Sequence, residues 1–238
     1  MRLAQAGSFH PTRISFTRTL VRRMARENWR FERVTFELDD AGIGTAVYRV
    51  DTSGAPVWFV VFADHLDAAD RTDRVIAEKW DATFTLTTTK PDVAAIERLK
   101  ANIPLQEAGR CSSAEMVLSR ANKSVRLFDH VVDALANGQQ PDRAKILDVG
   151  YLVRTTAVYG NGKFGLADLD QVRALGVFGL PFQAEMLCVF MARQFSMDWV
   201  EHIAQLRAPD TFAPMKDGLK RALGVGNATG LGMAPFLI

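Results

Sequence analysis

The chain has 238 residues, a formal net charge of +2 at pH 7, 48% hydrophobic residues and 24% charged residues. This composition is close to that of globular proteins and excludes an intrinsically disordered chain, which has too few apolar residues to form a core. The longest apolar runs, Val57–Ala63 and Met186–Ala192, are seven residues long, whereas a membrane-spanning helix needs about 20. The sequence therefore predicts no membrane-spanning helix.

The first 33 residues form a strongly basic segment, with eight arginines and two acidic residues. Apolar residues recur at helical spacing over residues 12–28, which predicts an amphipathic helix. Three arginines lie four positions apart and would form a basic ridge along that helix: Arg18, Arg22 and Arg26. The ridge would face solvent or an acidic partner, although an Arg-rich, acid-poor start is also typical of a transit peptide.

The next segment changes to the alternating pattern of β-strands. Val34, Phe36 and Leu38 alternate with polar residues, which predicts a half-buried strand with these three side chains inward and Arg33 outward. Further strands are predicted over 46–50, 57–63 and 82–88, and a helix over 70–80. The strand at 57–63 is apolar at every position, so we expect it in the middle of the sheet with both faces covered.

After Pro91 the pattern becomes helical. Helices are predicted over 112–137, 142–159, 167–175, 182–194 and 196–207. The first of these helices begins at the capping-box sequence Ser112–Glu115. The second would end at the glycines that follow Tyr159.

This order of elements predicts an α+β fold: an N-terminal antiparallel sheet of about four strands with flanking helices, followed by an all-helical C-terminal part. The predicted domains are an α+β subdomain over 1–105, which includes the Arg-rich helix, and a helical subdomain over 106–238. The last residues form an apolar run after a glycine-rich stretch. We interpret this end as a stop within a longer protein; an apolar tail that inserts into the core is the alternative.

The cysteines and histidines provide no support for a disulfide or a zinc site. Cys111 and Cys188 are far apart and form no C-x-x-C pattern, which favours a reducing, cytoplasmic location. The four histidines are isolated, with no spacing typical of zinc ligands. The sequence therefore predicts no metal site, and it identifies no cofactor.

The motif with the most specific spacing is Gly160-Asn-Gly-Lys-Phe-Gly165, a G-x-G-x-x-G. A dinucleotide-binding fingerprint requires a strand before the motif, but the preceding residues continue a predicted helix. A phosphate-binding P-loop is also disfavoured, because Ala157 and Phe164 occupy the positions of its first glycine and its Ser/Thr. A protein kinase is disfavoured because Val57–Ala63 contains no lysine.

Two other interpretations of this motif remain. Gly162-Lys-Phe-Gly165 matches the G-x-x-G loop with which KH-type domains clamp a nucleic-acid backbone, although strands flank the helices of those domains. The simplest interpretation is a helix C-cap followed by a turn, with Lys163 exposed to solvent.

A second glycine cluster, residues 224–230, also precedes a predicted helix start. Backbone N–H groups at helix N-termini favour phosphate or carboxylate groups, so we expect both clusters to border one positively charged pocket. Glu185 lies on a predicted apolar helix face and is the candidate general base; an internal ion pair between Arg154 and Glu185 is the structural alternative. The candidate ligand-binding residues are Arg120, Lys123, Arg154, Gly160, Asn161, Gly162, Lys163, Gly165, Asn227 and Thr229.

The leading hypothesis from the sequence is an intracellular protein that binds an anionic, phosphate- or carboxylate-bearing small molecule at glycine-rich helix termini. The sequence leaves open whether the ligand is transformed. One alternative is a nucleic-acid-binding module that uses Arg18, Arg22, Arg26 and the Gly162–Gly165 loop. The other is a non-catalytic structural or interaction protein.

Overall fold

In a computed structural model of the protein, the described residues are 11–67, 80–102, 114–159, 176–178 and 181–227. The elements in chain order are α1 (Pro11–Arg26), β1 (Arg30–Leu38), β2 (Gly44–Asp51), β3 (Val57–Ala63), β4 (Ala82–Thr87), α2 (Val93–Asn102), β5 (Glu115–Lys123), α3 (Phe128–Ala136), α4 (Arg143–Val149), β6 (Tyr151–Tyr159), α5 (Pro181–Arg207), α6 (Asp217–Lys220) and β7 (Gly224–Asn227). Within this described part of the chain, no helix is both long and apolar enough to cross a bilayer.

The described strands form one mixed, curled sheet in which their spatial order follows their order in the sequence. Neighbouring strands are antiparallel from β1 to β6, and β6 pairs with β7 in parallel. Parallel neighbours need a long crossover connection, and the chain between β6 and β7 contains α5. The sheet curls into a half-barrel, and α5 contacts β4, β5, β6 and β7.

The main core fills the concave face of this half-barrel. The rings of Phe59 and Phe84 stack with centroids 5.5 Å apart, and Phe84 lies 5.9 Å from Phe195 of α5. Phe195 in turn lies 5.1 Å from Trp199, which is fully buried. Each such ring buries roughly 150–250 Å², so these four side chains connect the centre of the sheet to α5.

A smaller core covers the convex face. Trp58, Val60 and Phe62 of β3 form this cluster with Leu99 of α2 and with neighbouring residues of β2 and β5. Because β3 is covered on both faces, all seven of its residues are buried. This agrees with the central position predicted from its apolar sequence.

The predicted fold class is wrong. The chain after residue 106 is not all-helical, because β5, β6 and β7 extend the sheet to seven strands. Strands from both sides of the predicted domain boundary therefore pair in one sheet. Some predictions lie outside the described residues: most of the helix at 70–80, the helix at 167–175, the N-cap residue Ser112 and the tail 228–238. Glu115, the other residue of the predicted capping box, begins β5.

The predicted helix at 112–137 is wrong in its first part, where β5 stands, and confirmed in its last part, where α3 buries Phe128, Val132 and Leu135 as predicted. The first part was misassigned because β5 is covered on both faces. Eight of its nine residues are buried, so the segment lacks the polar–apolar alternation by which a strand is usually recognised. Val117 and Ala121, which are four residues apart, resembled a helical face but share the concave face of the sheet instead.

Two other helix boundaries also differ from the prediction. Gly150 has φ of 78° and ends α4, and its N–H donates to the carbonyl of Ile146; the β-branched residues that follow form β6 rather than more helix. Ser196 does not begin a new helix. It lies inside α5, where its hydroxyl donates to the carbonyl of Arg193. Helix α5 therefore runs without interruption for 27 residues.

The N-terminal helix is confirmed, and Glu27 joins its end to the sheet. Leu20 and Met24 are buried, and α1 contacts α5. The Glu27 carboxylate accepts hydrogen bonds from the Ser53 hydroxyl at 2.6 Å, the Trp29 indole at 2.9 Å and Nε of Arg23 at 2.9 Å. These bonds, that from Ser53 above all, lower the pKa of Glu27 to about 2.

The turn between β1 and β2 contacts α5 closely at Gly42. Its carbonyl accepts a hydrogen bond of 2.7 Å from Nε1 of Trp199, and its φ is 78°. A Cβ atom at Gly42 would lie 2.4 Å from Trp199 Nε1 and 2.5 Å from Ile203 Cδ1. Gly150 has the same φ, but a Cβ atom there would meet nothing within 4 Å.

We expect Gly42→Ala to lower the free energy of unfolding by about 2–5 kcal/mol, because it combines left-handed strain with a clash in a packed core. The matched control Gly150→Ala introduces only the strain and should cost about 1–2 kcal/mol. Urea denaturation followed by tryptophan fluorescence measures both losses. Equal losses in the two variants would show that Gly42 is not a close contact.

Candidate functional site

The sheet separates the cations that the sequence predicted to line one pocket. Arg120 pairs with Ala157, and Arg154 pairs with Asn122, so both arginines lie on the convex face. Lys123 is three residues after Arg120, and it lies on the opposite, concave face, where Phe128 and Trp199 pack. Its Nζ is 4.5 Å from the ring centroid of Trp199.

The second glycine cluster begins as a strand rather than at a helix start. Gly224 and Gly226 belong to β7 and pair with Tyr151 and Arg154 of β6. A Cβ atom at Gly226 would lie 2.9 Å from the Tyr151 ring, so this close approach requires glycine. Asn227 ends β7.

The G-x-G-x-x-G segment and Thr229 lie outside the described residues. Gly160 directly follows β6, and residue 228 directly follows β7. Because these strands are parallel, the ends of β6 and β7 that precede the two segments point in the same direction. The motif is thus preceded by a strand, so that objection to a dinucleotide fingerprint is wrong. Glu185, the candidate general base, lies within helix α5 and is half-buried.

A cleft of about 310 Å³ lies between β1, the second half of α5 and the loop after it. Helix α5 contributes Asp198, Glu201, His202 and Gln205. The other walls are Arg33 and Phe36 of β1, and Phe212 and Pro214 of the loop. The cleft therefore combines acidic, basic, amide and aromatic side chains that are distant in sequence.

A β-bulge brings Arg33 into this cleft. The register of β1 shifts between Arg33 and Thr35, so that Arg33 pairs with Tyr48 and Phe36 pairs with Ala46. Residues three apart in a regular strand face opposite sides, and the extra residue, Val34, places Arg33 and Phe36 on the same concave side. The sequence predicted Val34 inward, which is wrong: Val34 is 45% exposed. Arg33 is exposed, as its place among the polar residues of the strand predicts, but it lies on the same side of the sheet as Tyr48.

The polar residues of α5 reach the cleft because they share one helix face. Asp198, His202 and Gln205 have the i, i+4, i+7 spacing of a single stripe, with Glu201 beside it. The stripe lies on a helix that is largely buried elsewhere. Because α5 continues through Ser196, Asp198 is a mid-helix residue instead of a helix start.

Asp198 is held by two neutral donors. Its Oδ2 accepts a hydrogen bond of 2.8 Å from the Tyr48 hydroxyl, and its Oδ1 accepts one of 3.0 Å from Nε2 of Gln194. Burial raises the pKa of Asp198, while the Tyr48 hydrogen bond and the charge of Arg33 act in the opposite direction. Burial and the negative charge of Asp198 raise the pKa of Tyr48 far above its ordinary value, so its phenol remains a donor.

The neighbouring acid and histidine have partners within the protein. Oε1 of Glu201 lies 2.7 Å from Nζ of Lys220 and accepts a hydrogen bond of 2.9 Å from the Met215 N–H. Nε2 of His202 lies 2.8 Å from the carbonyl oxygen of Leu38. That oxygen can only accept, so Nε2 carries the hydrogen, and Nδ1 is the acceptor in neutral His202.

Arg33 has a different environment. Its guanidinium carbon lies 4.7 Å from the centroid of the Phe36 ring. Within the described part of the chain, its N–H groups have no hydrogen-bond or ion-pair partner. A guanidinium with its donors available, beside an aromatic wall, is suited to a carboxylate or phosphate.

A comparison of the chain with protein-family models, curated proteins and solved structures finds no match. The chemistry of the cleft is therefore the basis on which a function can be assigned.

We expect Asp198→Asn to become more stable relative to the original protein as pH rises from 4 to 8. The raised pKa means that folded Asp198 holds its proton more tightly than the unfolded chain does. The stabilisation that this bound proton gives the original protein is present below the ordinary aspartate pKa of about 3.9 and is lost as pH rises through the raised pKa. Over that range the free energy of unfolding falls by at most about 1.4 kcal/mol per pH unit.

Urea denaturation across this pH range measures the difference in free energy of unfolding. Asp210→Asn, at an exposed position in the loop after α5, is the control for general charge effects. A difference between Asp198→Asn and the original protein that stays constant with pH would mean that Asp198 titrates normally.

Proposed function

We propose that the protein binds a small molecule with a carboxylate or phosphate group in the cleft between β1 and α5, with Arg33 as the anion-binding residue. The observation that carries this proposal is the bulge at Val34, which directs an arginine without an ion-pair partner in the described chain into a cleft. Its planar guanidinium can donate two parallel hydrogen bonds to one anionic group. The proposed ligand class is the one that the sequence-based hypothesis gave, but the proposed binding site is the cleft between β1 and α5 and not the glycine-rich segments.

The size and walls of the cleft support a small ligand. Its volume of about 310 Å³ is at the lower end of the range for ligand pockets, roughly 300–1,000 Å³. Phe36 and Phe212 provide apolar surface, and a few polar groups lie between them. Such a combination binds a molecule through apolar contact and fixes its orientation through hydrogen bonds.

The two acids of the cleft do not oppose an anion strongly. The charge of Glu201 is compensated by Lys220 at 2.7 Å. The raised pKa of Asp198 disfavours its ionised form. Both features reduce the repulsion that these acids exert on an anionic group bound by Arg33.

We expect Arg33→Gln to weaken binding of the anionic ligand about 10- to 100-fold, since a hydrogen bond to a charged group contributes about 1.5–3 kcal/mol. A panel of small carboxylates and phosphates is screened for thermal stabilisation, and each hit is measured by calorimetry. Arg30→Gln removes an exposed arginine of the same strand that does not line the cleft, so it should bind as the original protein does.

Two results would contradict this proposal: no compound of the panel stabilises the protein, or Arg33→Gln binds the hits with unchanged affinity. Arg154→Gln tests whether the anion binds near β6 and β7 instead of in the cleft. A loss confined to that variant would place the anion at the β6–β7 end of the sheet, beside the glycine segments.

A second candidate function is nucleic-acid binding along α1. Leu20 and Met24 are buried against the core, whereas Arg22 and Arg26 face solvent, the latter with 76% of its side chain exposed. The side chain of Arg18 lies outside the described residues. Two exposed arginines one helical turn apart are suited to contact with successive backbone phosphates.

We expect Arg22→Gln/Arg26→Gln to weaken binding to single-stranded RNA. Each lost phosphate contact reduces the slope of log K against log salt by about 0.7, so the double variant should reduce it by about 1.4. Fluorescence anisotropy between 50 and 200 mM salt measures both. Arg143→Gln/Arg221→Gln, which removes two exposed arginines outside α1, is the matched control. Equal weakening in both double variants would indicate only a general charge effect.

A further inference from the structure

Asp198 has acceptor capacity beyond the hydrogen bonds that it makes in the protein. Tyr48 and Gln194 each donate one hydrogen bond to it, from opposite sides. A carboxylate offers about four lone-pair sites, so its two oxygens can accept further donors. Asp198 also lines the cleft, and a ligand in the cleft can therefore reach it.

The charged and titratable groups around Asp198 come from each element packed against it. They are Arg33 of β1, Tyr48 of β2, and Glu201 and His202 of α5. Glu201 is committed to Lys220, and Tyr48 remains a neutral donor. Arg33 is the cation that acts on Asp198, but an anionic ligand would occupy its donors. Asp198 then needs a second cation to remain ionised in the filled cleft.

We infer that the ligand is a small zwitterion, in which one end carries the carboxylate or phosphate bound by Arg33 and the other carries a protonated amine bound by Asp198. This inference rests on the proposed function and names the class of its ligand.

The two binding residues are close enough for one small molecule. Arg33 is the cross-strand partner of Tyr48, and the Tyr48 hydroxyl lies 2.8 Å from Asp198. Arg33 and Asp198 thus flank the same tyrosine side chain, one on the sheet and one on the helix. Phe36 and Phe212 provide rings that favour a nearby ammonium group. A linear amino acid with a few methylene groups between its charges matches this arrangement.

The test compares ligands that differ in one group, using the unmodified protein. The probes are glycine, β-alanine, 4-aminobutyrate and 5-aminovalerate, together with the matching ω-hydroxy acids and plain carboxylates, measured by calorimetry at pH 7. We expect the best amino acid to bind about tenfold more tightly than its hydroxy and plain analogues, because a charge-assisted hydrogen bond to Asp198 is present only with the amine. In Asp198→Asn the three analogues should bind within about twofold of one another.

The outcomes separate this inference from the proposed function. If amino acids and plain carboxylates bind equally to the unmodified protein, and Arg33→Gln weakens both, the anion site stands and the zwitterion inference is overturned. If Asp198→Asn keeps the preference for the amine, another residue binds it and the inference is again overturned. If none of the probes binds, while other anions stabilise the protein through Arg33, the zwitterion inference alone is overturned.

Discussion

The enclosure of α5 by the curled sheet is the constraint on which the rest of the structure depends. A helix that is buried along most of its length must satisfy its polar side chains internally. Arg193 does so by donating to the carbonyls of Leu223 and Lys220, which fixes the chain just before β7. Trp199 donates to Gly42 and fixes the turn between β1 and β2. The polar contacts of this helix therefore hold both edges of the sheet.

The candidate cleft follows from the same enclosure. Asp198 is partly removed from water by the sheet that surrounds α5, and Tyr48 and Gln194 provide hydrogen bonds in place of that water. Such a carboxylate is costly for stability when it is ionised, and sites with this property are often functional. A ligand that brings its own positive charge would relieve this cost, so the environment of Asp198 accounts for the proposed selectivity of the cleft.

The sequence predicts the N-terminal helix from its helical periodicity, and it predicts the first four strands from alternation in β1 and from short runs rich in apolar and β-branched residues in β3 and β4. It fails at β5, which has no alternation because both faces are covered, and at β6, whose start depends on the left-handed Gly150. Of the cleft residues, Asp198, His202 and Gln205 could have been found from their helical spacing within an apolar segment. Arg33 could not, because a bulge reverses the direction that alternation assigns to it. The leading ligand hypothesis remains a proposal.

The order of the elements has a consequence for synthesis on the ribosome. Six of the seven described strands precede α5 in the chain, so most of the half-barrel can be made before the helix that fills it. Neighbouring strands pair with their sequence neighbours, which favours early hairpin formation. Until α5 emerges, the aromatic concave face has no cover from that helix and is exposed to other nascent chains and to chaperones. The protein is thus most vulnerable to aggregation in the interval between the synthesis of β6 and the docking of α5.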